Sequence, residues 1–154
     1  MANTYTQIYI HLVFAVQGRQ NLIHPNHNDE LQKYITGIVT GKRQKLIVIN
    51  NRPDHAHLLI GQKPDIALSD LVLDIKAGSS GFISRSHWMR GRFEWQEGFG
   101  AFSCSHSQLD QVICYIQNQE KHHARRSFQQ EYLQLLKQFQ IPYDGRYIFK
   151  PVEI

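Results

Sequence analysis

Several of the commoner routes to a function are missing from this sequence. Only Cys104 and Cys114 are cysteines, and they form no Cys-x-x-Cys pair. A disulfide framework or a thiolate zinc site is therefore not expected, and both thiols read as reduced packing residues. No apolar run approaches the roughly 20 residues that a membrane-spanning helix needs, so no membrane partner is expected. The first residues, Met-Ala-Asn-Thr-Tyr-Thr-Gln, lack a basic stretch followed by an apolar one, which sets a cytoplasmic location as the expectation. No glycine-rich nucleotide-binding motif, internal repeat, linker or low-complexity segment is present.

What remains is an ordinary globular composition, 42% hydrophobic and 19% charged over 154 residues, read as one domain spanning 1–154. The formal net charge of +4 is modest, but the basic residues gather. They lie at Lys42-Arg43-Gln44-Lys45, between Arg85 and Arg92, and at Lys121-His122-His123-Ala124-Arg125-Arg126. Such clusters suit a surface that follows a phosphate backbone, and they equally suit solvated helix ends.

Periodicity sets out the elements. From Tyr5 to Val16, Ile8, Ile10, Leu12, Phe14 and Val16 share one face, with Gln7, Tyr9, His11 and Val13 opposite, the alternation of a strand. A helix is expected from Asn28-Asp29-Glu30 to about Lys42, then a hairpin of strands Lys45–Asn50 and Ala56–Gly61. A second helix starts near Ser69, weakened by the glycines of Lys76-Ala77-Gly78-Ser79-Ser80-Gly81. Short strands are expected at Phe93–Gln96 and Phe99–Ser103, a third helix from Ser105–Ser107 through Gln119, and a fourth over Ser127–Phe139. Strands in this order predict an α+β fold. Its ferredoxin/RRM-like antiparallel sheet has helices on one face, and a C-terminal helix bears a tyrosine. The second face of the sheet is then open to carry a site.

His55-Ala56-His57 lies at the start of the second hairpin strand. Residues two apart on a strand point the same way, so both imidazoles project from that second face, the arrangement two ligands of one divalent metal require. In the third helix, Leu109, Val112, Ile113 and Ile116 form the core stripe, and Tyr115 and Gln119 make an i, i+4 pair on a ridge beside it. Tyr115 reads either as a boundary packing residue or as a nucleophile. Small residues beside Lys76 serve either helix packing or close approach of a nucleic-acid backbone. Trp95, Phe99 and Tyr9 are candidates for stacking on unpaired bases, with Phe99 better suited to the core.

Taken together, Pro53-Asp54-His55-Ala56-His57-Leu58-Leu59-Ile60, the 76–81 segment, Trp95-Gln96-Glu97-Gly98-Phe99 and Tyr115-Ile116-Gln117-Asn118-Gln119 resemble the single-tyrosine transposases of the IS200/IS605 type, within the HUH endonuclease superfamily. The resemblance implies a bacterial or archaeal enzyme that cuts and rejoins single-stranded DNA at hairpin-bearing ends through a 5′-phosphotyrosine. It implies Tyr115 as nucleophile, and Mg²⁺ or Mn²⁺ held by His55, His57 and Gln119. It also implies a homodimer in which the tyrosine helix acts in trans, with Gly98 and Gly100 as hinge candidates. Arg52, Lys76, Ser79, Ser80, Trp95, His122 and Arg125 are the candidate DNA contacts. The loop Gln17-Gly18-Arg19-Gln20 carries fewer positive charges than the family leads one to expect. Two other functions fit the same residues: a single-tyrosine nickase of replication, transfer or repeat processing, and a ferredoxin-like module that binds nucleic acid without cutting it. No general base stands out in the sequence.

Overall fold

The computed structural model describes residues 3–123 and 126–145, with the side chains of His122 and His123 left out. Strand β1 (Tyr9–Ala15) is followed by helix α1 (Asn28–Gly41), strands β2 (Lys45–Arg52) and β3 (His55–Gly61), helix α2 (Leu68–Arg85) and strand β4 (Gly100–Cys104). Helices α3 (Leu109–Gln117), α4 (Gln119–His123) and α5 (Phe128–Gln138) complete it. The four strands form one antiparallel sheet in the order β2-β3-β1-β4. Order and directions are those expected of the ferredoxin-like arrangement.

Alternation along the strands divides the side chains between two cores. Leu12, Phe14, Val16, Ala56, Leu58 and Ile60 pack beneath α1 and α2, against Leu31, Ile35, Leu71 and Ile75 among others. Burial of each Val, Leu, Ile or Phe among them contributes roughly 1.5–3 kcal/mol. The opposite face carries Val13 and Ala15, with Phe102 from β4. It is not open. Phe128, Leu135 and Leu136 of α5 close over it, and α3 lies across β2 and β3. The physical reason is that a second strip of apolar residues on the sheet needs a cover, and the amphipathic C-terminal helices supply one.

Three details depart from the periodicity reading. The segment 93–96 makes only a single bridge, Trp95 to Val16. Its rings turn instead into the first core, Trp95 meeting Phe14 and Phe93 edge-on at 4.7 and 4.9 Å. The tyrosine helix does not run through Gln119. It stops at Asn118, whose backbone leaves helical geometry (φ −98°, ψ 24°), and Asn50 Nδ2 donates to the freed Ile116 carbonyl at 2.9 Å. Finally, α2 is unbroken through both glycines.

Gly78 shows why. A Cβ at that position would lie 2.7 Å from Ile38 Cδ1 on α1, so this glycine lets two helices approach closely. Of the two readings open for it, helix packing is the one the contacts support. Gly78→Val should cost about 1–3 kcal/mol through overpacking. A lowered urea midpoint with unchanged m-value would show it, and an unchanged midpoint would refute the close-packing account.

Candidate active site

β3 begins at His55, in the second strand of a hairpin whose turn is Pro53-Asp54. Pleating turns His55 and His57 to the same face, and both are fully buried. The Asp54 carboxylate takes the hydrogen of His55 Nδ1 at 2.6 Å, which leaves Nε2 facing the interior. His57 Nδ1 lies 2.8 Å from Nε2 of His11, a residue of the neighbouring strand on the same face. Burial first, then the nearby His57, lowers the pKa of His11 to about 3, against a raising influence of Glu131. Burial also pulls His55 down, but its bonds to Asp54 and Glu131 prevail and raise its pKa.

The sequence-derived pair on the tyrosine helix reaches the same place despite the break at Asn118. Gln119 is fully buried, with Oε1 3.4 Å from His55 Nε2. The Tyr115 ring sits 6.0 Å from that of His57.

Two residues not expected from the sequence join them. Glu131, on α5, has no solvent exposure. Its Oε1 lies 3.0 Å from His57 Nε2 and 3.5 Å from His55 Nε2. Its Oε2 accepts a short hydrogen bond from the Tyr115 hydroxyl and another from Gln119 Nε2 at 3.1 Å. Arg126 Nη2 donates to the Tyr115 hydroxyl at 3.0 Å. Burial, and then the Glu131 charge and hydrogen bond, raise the Tyr115 pKa, outweighing Arg126. The phenol is therefore held protonated. A signal for Glu131 exists in the sequence: it falls on the stripe of Phe128 and Leu135, a charged residue at a core position of an amphipathic helix.

The donor set suits a divalent cation. Adjacent ligands of an ion bonded at about 2.0–2.2 Å lie roughly 3.0–3.5 Å apart, and the 3.0, 3.4 and 3.5 Å separations that link Glu131 to both histidines and Gln119 to His55 match it. Ligand atoms of His55, His57 and Glu131 all fall within 4.8 Å of one another. A cleft of about 660 Å³ opens beside them, lined by Arg52, Asp54, Arg126 and Phe128 among others.

The DNA-contact candidates scatter. Arg52 lines that cleft. Ser79 is fully buried, accepting from Trp95 Nε1 at 2.9 Å and donating to the Ile75 carbonyl at 2.6 Å. Ser79 and Trp95 thus face the first core and each other, away from any surface a strand could follow. Ser80 bonds the Ala77 carbonyl on its own helix. Lys76 Nζ donates to the carbonyls of Gln96 and Gly98 at 2.6 and 2.8 Å, which ties down the 96–98 loop. Arg125 and the His122 side chain lie outside the described residues. Phe99 is 37% exposed and so is not a core residue. Gly98 has a left-handed φ of +82°, and a Cβ on Gly100 would meet the Tyr132 ring at 2.8 Å. For Gly100 the contact is a packing constraint.

Comparison with known proteins gives consistent results. The family model described as "Transposase IS200 like" matches residues 4–119. The ISDra2 transposase TnpA of Deinococcus radiodurans is 24% identical over 118 residues, covering 73% of this chain and 84% of that protein. A solved transposase structure from Deinococcus radiodurans superposes with a TM-score of 0.62 at 24% identity, covering 77% of this chain and 95% of that one. A REP-associated tyrosine transposase bound to a REP hairpin superposes with a TM-score of 0.60 at 13% identity. That match covers 100% of this chain and 96% of the other. Among the described residues, no helix is long and apolar enough to cross a membrane.

Two outcomes follow from these contacts. Ser79→Ala should lower stability by about 1–3 kcal/mol by orphaning the Trp95 N–H. It should leave single-strand affinity of the folded protein unchanged in a fluorescence titration; weaker binding by fully folded protein would return Ser79 to the DNA surface. His11 supplies a pH test. Between pH 6.5 and about 3 the unfolded chain binds a proton at His11 that the folded chain does not, so stability falls as pH drops through that window. In chelator, His11→Gln should lose less stability across it than the parent; parallel urea-midpoint curves would contradict the assignment.

Proposed function

The chain belongs to the IS200-like transposase family, and on that basis we propose that it is a metal-dependent enzyme that cleaves and rejoins single-stranded DNA at hairpin-bearing ends. The observation that carries this reading is the convergence of the Tyr115 hydroxyl with His55, His57 and Gln119 in one buried cluster. Tyr115 is the nucleophile, and His55 Nε2, His57 Nε2 and Gln119 Oε1 would hold the ion, Mg²⁺ or Mn²⁺. When bound, a divalent ion supplies positive charge that offsets the phosphodiester's own and polarises its phosphorus.

The chain's own groups account for the rest. Asp54 and His11 fix the two imidazoles, so Nε2 of each is presented without a rotamer search. Arg126 points its guanidinium at the phenol oxygen, which favours loss of the phenolic proton and so the attacking phenolate. The Tyr115 oxygen forms a bond to phosphorus as the bond to the 3′ oxygen breaks. The proton lost by the phenol is balanced by the one gained at the released 3′-OH. The 5′-phosphotyrosine conserves the bond, so another 3′-OH can reverse the step without a nucleotide cofactor.

The relative solved with a REP hairpin supports hairpin DNA as the partner. The cleft that holds Arg52 and Arg126 supplies cationic side chains beside the site for its backbone. The reading includes a homodimer in which the tyrosine helix of one copy acts at the site of the other. Joining two ends takes two such sites, which is where a homodimer enters.

Incubation with labelled hairpin-bearing single strands and Mg²⁺ or Mn²⁺ should yield a covalent protein–DNA adduct stable to denaturation. Tyr115→Phe and chelator should each abolish it. Equal adduct from Tyr115→Phe would remove the nucleophile assignment, and hairpin binding with no adduct under any metal would favour a binding module.

A further inference from the structure

Residue 119 ends the segment that matches the family model, yet the chemistry does not end there. Glu131 stands beyond it, on α5, and each of its carboxylate oxygens has a different task in view. Oε1 lies between the two imidazole Nε2 atoms, at 3.0 and 3.5 Å, which are separations of neighbouring ligands around one ion. Oε2 takes the Tyr115 hydroxyl and the Gln119 amide N–H.

Resting on the metal reading given above, we infer that Glu131 is a fourth, anionic metal ligand. Through its second oxygen it also positions the nucleophile beside the ion. The ligand set becomes two imidazole nitrogens, one amide oxygen and one carboxylate, rather than three neutral donors. A carboxylate shifts the preference toward the hard, oxygen-seeking cations Mg²⁺ and Mn²⁺, where nitrogen donors by themselves favour later metals. It lowers the net charge of the site from +2 to +1. In exchange it ties Tyr115 to the ion's place through a single rigid group, which fixes the nucleophile's distance and direction.

The packing is built to hold Glu131 there. Ser127 caps α5 by accepting from Gln130 N at 3.2 Å. One residue on, Phe128 lies on the His55 ring, with centroids 4.4 Å apart. Leu135, one turn beyond Glu131, is buried in the second core. The helix is thus held by apolar packing on either side of Glu131.

The test is Mn²⁺ binding by the full chain, followed by calorimetry and by the electron paramagnetic resonance of bound Mn²⁺. Glu131→Gln should weaken Mn²⁺ at least about tenfold, by analogy with the 10–100-fold losses seen even for outer partners of metal ligands. The nitrogen couplings of the two imidazoles should survive, and hairpin affinity in chelator should be unchanged. Glu131→Asp should recover part of the Mn²⁺ affinity, and the cleavage rate of Glu131→Gln at saturating Mn²⁺ should fall through kcat with KM for the hairpin unaltered. Unchanged or tighter Mn²⁺ binding by Glu131→Gln would overturn the proposal, since Glu131 would then be an occupant that the ion displaces. Loss of Mn²⁺ in Glu131→Gln with no adduct formed by the parent would leave the ligand standing and sink the transposition reading instead. No Mn²⁺ binding by the parent would overturn both.

Discussion

A carboxyl group stripped of water costs several kcal/mol unless its oxygens find partners, and the second face of this sheet is organised around meeting that requirement for Glu131. Its partners come from β3, α3 and α4, elements that apolar packing brings together on this face. Satisfying two oxygens at once fixes how α5 is turned over them. It also turns the Tyr115 hydroxyl inward and holds Gln119 beside His55. Removing any one partner leaves the others buried and short of a bond, so the cluster stands or falls together.

Around that polar centre the apolar residues act as a seal. Phe102 lies against the His11 ring and Phe128 against that of His55, in an apolar cluster with Val13, Leu135 and Leu136, and the histidines are buried. The first core does a different job. Its aliphatic layers beneath α1 and α2 give β1 and β3 a rigid platform, and functional side chains on strands hold their geometry better than those on loops. His11 and His57, facing each other across that strand pair, inherit this rigidity.

Much of the arrangement was legible from local pattern. Alternation through Tyr9–Ala15 and the hairpin showed that a sheet forms and that His55 and His57 share one of its faces; the strand order and the cover over that face came from the structure. The i, i+4 spacing of Tyr115 and Gln119 survived even though the helix breaks between them at Asn118, and the Gln119 amide still lies 3.4 Å from the Tyr115 carbonyl. Less legible were the break itself, set by a side chain of β2 that bonds the freed carbonyl, and the burial of Ser79 and Trp95. Nothing local distinguishes a serine that bonds an indole in the core from one that faces a phosphate.

By itself, the sequence determined which residues share a face: His55 with His57 by the period of a strand, Tyr115 beside Gln119 by the period of a helix. Glu131 was not singled out there, although it falls on the apolar stripe of its helix. Only the tertiary structure decided what surrounds that charge. Side chains 74 and 16 residues away in the chain meet it, and periodicity is blind to such pairs because it orders neighbours along one element. Bringing β3, α3 and α5 to a common point is the work of two hydrophobic faces that must both be covered, a condition on the whole chain rather than on any stretch of it.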